Sequence, residues 1–376
     1  MQARIFLYKY YYDWWKNVNK SIFFLILLLF SLGLFFSLVS TSLIASDKLN
    51  TNSYYFFFKH SFYIGIGVFF IILFSSLKEE SLFKISLILF LICFIFLLLV
   101  PFIGVEIKGS KRWLDFLFLP RFQPIEILKP FIIVLIATIL CSEKNNKLYY
   151  KYFLSFLAIL PIIFLLVTQP DIGQTLLVFL TWLSLIFISG INLLIFFLFF
   201  AIILSILLYL IIFVEKFNYI LIRLKSFIDP YSGNNYQSEK ASEAIINGGF
   251  FGKGIGEGVL KNRVPEAHTD YIVSVISEEF GTIIIIGLML IFLFFTYQVF
   301  KKLYYEKNNK IRLILVGSIS IILFQALIHI GVNIRLFPTT GMTLPFLSYG
   351  GSSIVGTAIL SGIILNLTKR KINKNG

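Results

Sequence analysis

Long apolar runs alternate with short polar intervals along almost the whole chain. About ten of these runs approach the ~20 residues that an α-helix needs to cross a bilayer. One polar interval, residues 215–271, is much longer than the others. The pattern predicts an all-α polytopic membrane protein with about ten transmembrane helices and one long extramembrane loop. The predicted spans are residues 21–44, 59–77, 82–103, 125–142, 152–168, 173–190, 192–214, 272–299, 311–334 and 346–367.

Composition supports the membrane class. Hydrophobic residues make up 58% of the 376 residues, whereas ordinary globular chains hold about 45–50%. Cys93 and Cys141 lie within or at the end of apolar runs, so a disulfide framework is not indicated. The net charge of +14 would suggest nucleic acid in a soluble protein. In a membrane protein it fits orientation and contact with anionic membrane lipids, and no nucleic-acid partner is expected.

Basic residues predict the orientation. If the N-terminus is inside, most Lys and Arg of the short loops also fall inside, as the positive-inside rule requires. The chain then forms one transmembrane domain, residues 1–376, with a cytoplasmic N-terminal segment 1–20 and a basic cytoplasmic tail 368–376. The long loop 215–271, between spans 7 and 8, and the other motif-bearing loops face outward. Chemistry on that face has no cytoplasmic ATP or NAD, so its substrate must supply the energy.

The first outer motif is Lys111-Arg112-Trp113. Two adjacent cations beside an indole suit a phosphate, but they also suit a plain anchor at the lipid headgroups. Gln123 and Pro124 open the next span, in which Glu126 and Lys129 are three residues apart and share a helix face.

Charges at the top of a span are costly unless they are paired. Glu126 and Lys129 therefore form either a structural clamp or the floor of a polar cavity. The turn Gln169-Pro170-Asp171 follows between two spans, and Asp171 either caps the next helix or belongs to a simple turn.

The long loop contains Arg223 and a glycine-rich run over 248–258. That run superficially resembles a nucleotide fingerprint, but no strand precedes it and no βαβ unit surrounds it, so a closely packed backbone is expected instead. The loop ends with Glu266, His268, Thr269 and Asp270 at the mouth of the next span. This acidic group is either a solvated helix entry, with Thr269 or Asp270 as the N-cap, or a site that faces a substrate.

The last outer motif covers residues 338–353 and includes Ser348 and Gly350. Its small residues permit close approach of helices, and its hydroxyl groups can bond across them. Irregular backbone at membrane depth is tolerated where it is buried or lines a cavity.

Together these motifs, in this order and across nearly the whole chain, resemble the SEDS family of bacterial cell-wall proteins, which includes FtsW and RodA. Three of them, over 169–175, 265–270 and 338–345, resemble the division-type branch, FtsW, more than the elongation-type branch, RodA. One departure is Ile125, where the family usually has Ser. This change removes a cap hydroxyl but leaves Glu126 and Lys129 in place.

The resemblance implies peptidoglycan glycosyltransferase activity on lipid II and on glycan linked to undecaprenyl diphosphate. It also implies a class B penicillin-binding protein as partner, with other divisome proteins, in the inner (plasma) membrane at the division septum. The elongation-type polymerase, a lipid II flippase and a non-catalytic scaffold remain as alternatives.

The resemblance assigns the general base to Asp270. Cations are expected to bind the departing diphosphate, and a divalent ion, Mg²⁺ or Mn²⁺, could assist. No cytoplasmic cofactor is needed. The expected substrate-binding residues are Lys111, Arg112, Trp113, Gln123, Glu126, Lys129, Arg223, Glu266, His268, Thr269, Ser348 and Gly350.

Overall fold

A computed structural model describes residues 12–41, 54–107, 109–116, 119–143, 148–229 and 235–369. Part of the predicted N-terminal segment, residues 1–11, and most of the predicted basic tail, 370–376, lie outside the described residues. The helices are α1 (Lys20–Phe36), α2 (Tyr55–Ser76), α3 (Glu79–Ile103), α4 (Pro124–Leu140), α5 (Leu148–Thr168), α6 (Ile172–Ile188), α7 (Leu193–Phe213), α8 (Asn218–Ile228), α9 (Tyr236–Gly248), α10 (Ile272–Phe280), α11 (Thr282–Tyr305), α12 (Asn309–Asn333) and α13 (Gly351–Leu367).

The predicted helical membrane class is confirmed. In the described residues, seven segments are long and apolar enough to cross a bilayer, and α6 and α13 are shorter apolar helices. The predicted total of about ten spans is therefore not established. One predicted span, 272–299, is wrong as a single helix, because it breaks at Gly281 into α10 and α11. Gly281 has a φ of 83°, which favours glycine.

The predicted outer loop 104–124 contains a small antiparallel sheet that the helical prediction omitted. Its strands are β1 (Val105–Ile107), β2 (Ser110–Phe116) and β3 (Leu119–Phe122), in the order β1-β2-β3. Val105 pairs with Trp113 and Glu106 pairs with Lys111, so Arg112 is the extra residue of a β-bulge. A bulge re-aims the side chain it carries.

Helices α4, α12 and α13 form the centre of the bundle, and most of their residues are buried. Small residues bring them together, as in other membrane proteins. A Cβ at Gly356 of α13 would overlap the backbone oxygen of Glu126 in α4, and one at Gly317 of α12 would lie 2.7 Å from Cγ2 of Ile133 in α4. By contrast, no described side chain of α7 is buried.

We call the end of the bundle that carries Asp270 the site end. The long loop at this end contains α8 and α9 rather than a structureless chain. At the opposite end, the Asn366 amide donates to the carbonyl oxygens of Phe74 and Leu77, both at 2.8 Å, and fixes α13 to the end of α2.

Candidate active site

Asp270 lies in a tight turn that leads into α10. Glu266 begins the turn with a φ of 52°, and its carbonyl oxygen accepts from the amides of Thr269 at 3.0 Å and Tyr271 at 3.3 Å. The N-cap of α10 is Tyr271, which makes no side-chain cap. Of the two alternatives for this acidic group, the one with Thr269 or Asp270 as the N-cap does not match the structure, and Asp270 is half-buried.

The cap comes instead from another helix. Asn333, at the end of α12, accepts from the backbone N–H of Ser274 at 3.1 Å and from its hydroxyl at 2.7 Å. The Asn333 amide donates to the carbonyl oxygen of Asp270 at 3.1 Å. One fully buried side chain thus satisfies the start of α10 and fixes the backbone of Asp270.

Asn333 is the last of three buried polar residues spaced four apart on α12, which share one face of the helix. Gln325 donates to the carbonyl oxygen of Thr343 at 2.9 Å, and His329 Nδ1 lies 2.7 Å from that of Met342. We call Gln325, His329 and Asn333 the α12 ladder. The ladder attaches both the Asp270 turn and the segment 340–344 to one helix.

Gly341 lies between Asp270 and Arg112. A Cβ at Gly341 would be 3.6 Å from Asp270 Oδ2 and 3.8 Å from Arg112 Nη1. The carboxylate and the guanidinium therefore flank one small space on the surface of residue 341. The φ of 68° at this position also favours glycine.

Arg112 is held by the turn between α5 and α6. It donates from Nε to the carbonyl oxygen of Gln169 at 3.2 Å and from Nη2 to that of Pro170, and its Nη1 lies 3.7 Å from Asp171 Oδ1. Gln123 donates to the other oxygen of Asp171 at 2.8 Å.

Asp171 also caps α6, because its Oδ1 accepts from the N–H of Gln174 at 3.4 Å, which supports the first of the two alternatives for this residue. Burial raises the pKa of Asp171, and the Arg112 charge offsets part of that rise.

Arg223 of α8 reaches the same region. Its Nη1 donates to the carbonyl oxygen of Thr339 at 3.4 Å. Burial lowers the pKa of Arg223, and repulsion from Arg112 lowers it further. Tyr219, one turn earlier, bonds the carbonyl oxygen of Val167 at 3.0 Å. Burial raises the pKa of Tyr219 to about 12, so the phenol is neutral at physiological pH. The two arginines thus share a partly desolvated volume.

The Glu126–Lys129 pair lies beneath this cluster in the first two turns of α4. Lys129 Nζ is 2.7 Å from Glu126 Oε2 and donates to Gln325 at 2.9 Å. Gln174 donates to the other Glu126 oxygen at 2.5 Å. Both charges are buried and hydrogen-bonded on two sides. Of the two predicted alternatives, this geometry favours the structural clamp, with the α12 ladder as part of it.

The other predicted residues have different positions. Lys111 is exposed, whereas Arg112 and Trp113 on the same strand are half-buried. His268 packs against Phe56 and Tyr349, with ring centroids 5.1 and 5.9 Å away.

Ser348 links two parts of the site. It accepts from the N–H of Leu344 and donates to the carbonyl oxygen of Thr269, both at 2.8 Å. The Thr269 hydroxyl lies 3.2 Å from a carboxylate oxygen of Glu266. Gly350 is the N-cap of α13 and has an extended φ of 175° that any residue can adopt.

Sequence reasoning missed Gln174, Gly341 and the α12 ladder. The ladder did leave a signal, since Gln325, His329 and Asn333 are polar residues at helical spacing inside an apolar run. Among the described residues, no three His, Cys, Asp or Glu side chains group as a metal site. Asp171 and Asp270 are carboxylates of the kind that bind Mg²⁺ together with substrate phosphates, so assistance by a divalent ion stays a prediction.

Comparison with known proteins decides the family. The FtsW/RodA/SpoVE profile, described as "Cell cycle protein", matches residues 19–373. The chain belongs to the FtsW/RodA/SpoVE family. This confirms the resemblance inferred from the motifs.

Curated members of the family resemble the chain over most of its length. A Caulobacter vibrioides protein named "Probable peptidoglycan glycosyltransferase FtsW" is 30% identical over 95% of this chain and 91% of its own. A protein of the same name from Buchnera aphidicola (subsp. Acyrthosiphon pisum) is 34% identical over 93% of this chain and 88% of its own.

Solved structures share the fold. A chain from a solved structure described as "Structural coordination of polymerization and crosslinking by a peptidoglycan synthase complex" is similar with a TM-score of 0.75 and 25% identity, over 93% of this chain and 97% of that one. RodA from Thermus thermophilus is similar with a TM-score of 0.68 and 24% identity, over 94% of this chain and 97% of its own. The RodA likeness supports the fold alone.

Proposed function

We propose that this chain is a peptidoglycan glycosyltransferase that polymerises lipid II into glycan strands, most like the FtsW branch of its family. The observation that carries the proposal is the arrangement at the site end. One carboxylate, Asp270, and one guanidinium, Arg112, flank Gly341. Arg223 lies close enough to Arg112 that the charge of Arg112 lowers the pKa of Arg223. A base beside a paired cation site suits transfer of a sugar away from a diphosphate.

The reaction requires one proton transfer. The 4-hydroxyl of the GlcNAc in lipid II attacks C1 of the donor sugar, and Asp270 accepts the hydroxyl proton. The bond between C1 and the diphosphate oxygen breaks, and the electron pair leaves with undecaprenyl diphosphate. Direct displacement converts the α-linked donor into a β-1,4 bond, and one general base suffices for this inversion.

The arginines stabilise the leaving group. Negative charge grows on the diphosphate as its bond to C1 breaks, and fixed guanidinium groups stabilise that charge in a partly desolvated site. The mutual repulsion of Arg112 and Arg223 falls when an anion lies between them. The Glu126–Lys129 clamp supports the site from below rather than contacting the reacting atoms.

Polymerisation fits the arrangement better than transport. A flippase needs polar groups at mid-depth and towards both ends of the bundle. The intramembrane ion pair here lies in the first two turns of α4, and its hydrogen bonds lead back to Thr343 at the site end.

The cellular setting follows from the same proposal. The site end faces outward, both termini are cytoplasmic, and the chain works beside a class B penicillin-binding protein in the divisome at the septum. The names of the FtsW relatives and the similarity to a chain of a peptidoglycan synthase complex support this setting.

The test is polymerisation of labelled lipid II by the purified chain with its transpeptidase, in the presence of moenomycin to exclude the unrelated glycosyltransferase class. Asp270→Asn should lower the rate at least about 100-fold, because general base catalysis contributes roughly 10²–10⁴. Protein level and partner binding should stay intact.

The matched control is Asp115→Asn, an exposed carboxylate that pairs with Arg121 on the sheet. It should polymerise normally. Near-normal polymer from Asp270→Asn would remove this residue from the role of base, whereas absence of polymer from the unmodified pair would favour the transporter or scaffold.

A further inference from the structure

The glycine-rich loop after α9 exposes an apolar surface outside the predicted spans. We call Ile246, Phe250, Phe251, Ile255 and Val259 the loop tip. Phe251 is 80% exposed and Phe250 is 53% exposed, and the other three are also exposed. Large apolar side chains gathered on a surface mark a contact with another apolar phase. The loop tip is therefore poorly suited to an aqueous environment.

Backbone hydrogen bonds fix the depth of the loop tip. The N–H of Thr282 donates to the carbonyl oxygen of Gly249 at 3.1 Å, and the N–H of Ile283 donates to that of Phe250 at 3.3 Å. Phe250 is thus level with the first turn of α11, a membrane span. Ile283 in that first turn and Ile286 less than a turn later are both exposed, so this surface of α11 faces lipid.

A second span gives the same depth. Phe280, directly before the break at Gly281, packs against Phe35 of α1 with ring centroids 5.8 Å apart. Phe35 is 15 residues beyond Lys20, the first residue of that span. At 1.5 Å per residue this is about 22 Å along the helix, inside a hydrocarbon core of ~30 Å.

Backbone N–H groups of the loop are hydrogen-bonded within the protein, as a water-free environment requires. The N–H groups of Gly252, Lys253 and Gly254 donate to the carbonyl oxygens of Gly248, Glu278 and Glu279 at 2.9, 2.9 and 3.0 Å. Irregular backbone is tolerated at membrane depth only when its polar groups are satisfied in this way.

The exposed side chains of α9 change from polar to apolar towards the C-terminal end of the helix. Its exposed side chains include Gln237 and Glu243 in the earlier turns and Ile246 in the last turn. Lys253 and Glu257 are exposed beyond the phenylalanines and suit the headgroup level, since long charged side chains reach water from there.

We propose that the loop tip inserts into the lipid leaflet on the site side, with Phe250 and Phe251 among the upper acyl chains and Lys253 at the phosphates. The occupant is the bilayer itself, continuous with the lipid-facing surface of α11. Phenylalanine rings that enter the acyl chains anchor interfacial segments in bilayers. The predicted long outer loop then lies partly in the membrane.

The test uses the full chain in phosphatidylcholine–phosphatidylglycerol vesicles, with Cys93 and Cys141 replaced by serine and one cysteine introduced for an environment-sensitive dye. Phe251→Cys carries the dye at the loop tip, Glu243→Cys on the aqueous side of α9, and Leu290→Cys on the lipid-facing surface of α11. Quenching by a spin label near the top of the acyl chains is compared with quenching by aqueous iodide.

At position 251 the emission should shift to the blue, and lipid quenching should exceed iodide quenching several-fold, as at 290. Position 243 should show the opposite ratio. Iodide quenching at 251 equal to that at 243 would overturn the proposal. Shielding of 251 only after the transpeptidase is added would also overturn it, because a protein would then cover the loop tip. If the cysteine variants fail to fold, Phe251→Trp provides the same test. Quenching of its tryptophan fluorescence by brominated lipids should then exceed that of the parent chain.

Discussion

Helices α7 and α12 are both long and apolar, yet they occupy opposite environments. No described side chain of α7 is buried, although the helix consists almost entirely of Leu, Ile and Phe. Most of α12 is buried, including Gln325, His329 and Asn333. Apolar side chains gain little by leaving acyl chains for a protein interior. The helix with more polar and small residues therefore occupies the centre, and the more apolar helix lies at the periphery.

This difference shows where specific contacts concentrate. Each ladder residue of α12 bonds another element, whereas the Ser205 hydroxyl of α7 donates to Ala201 of its own helix. Substitutions in the central polar network should therefore cost much more than substitutions on α7. The largest effects expected within this comparison come from the charged pair that the ladder contacts.

Lys129→Met should destabilise the protein most. The substitution leaves Glu126 buried without its cation, and breaking one side of a buried pair costs about 3–5 kcal/mol. The measurement is the thermal unfolding midpoint of the purified chain in one detergent.

The double variant Glu126→Leu with Lys129→Met serves as the control for this pair. It should recover part of the loss, because no unpaired charge remains. An unchanged midpoint for Lys129→Met alone would contradict the clamp.

Asn333→Ala should have the next largest effect. It removes the cap of α10 and the bond to the Asp270 carbonyl, and unsatisfied buried groups cost about 1–3 kcal/mol. Displacement of Asp270, the proposed base, should lower kcat roughly 10- to 100-fold with little change in KM. The measurement is steady-state polymerisation over a range of lipid II concentrations.

Ser205→Ala on α7 is the matched control for Asn333→Ala. It should change stability by less than about 0.5 kcal/mol and leave the rate unchanged. If both variants lose activity equally, the contrast between the two helices does not hold.

The smallest expected effect is the pH dependence of stability that comes from Asp171, at the edge of the central network. Burial raises the pKa of Asp171 in the folded chain, despite the nearby Arg112 and Lys129. The folded state thus keeps this proton after the unfolded state has lost it. The free energy of unfolding should fall as pH rises from about 4 through the folded-state pKa, and then level off.

Asp171→Asn should remove that contribution to the pH dependence. Unfolding midpoints measured from pH 4 to 7 in both proteins give the comparison. A parent midpoint that rises relative to the variant over this range would reverse the assigned direction of the shift.

The sequence predicted the helical membrane class, the family and the positions of most helices. Apolar runs reveal spans because the bilayer selects for length and hydrophobicity. The same runs hide a break that depends on one backbone angle, as at Gly281. They also hide the small sheet and its bulge at Arg112.

The candidate site was predicted in part. Asp270, Arg112 and Arg223 do lie at one end of the bundle, since each belongs to a polar segment beside a span. The contacts of Asn333 and Gly341 could not be predicted, because they depend on how α12, α10 and the segment 340–344 pack together. Those contacts involve backbone atoms, which carry no sequence signature.

Mutation of Gly341 can change the gap between Asp270 and Arg112 in one direction only. Glycine has no side chain to shorten, so every replacement makes the opening narrower and adds strain at a positive φ. An inhibitor that fits this opening would be difficult to evade by changing residue 341. In the proposed mechanism, a bulkier residue that excluded the inhibitor would also obstruct the donor sugar.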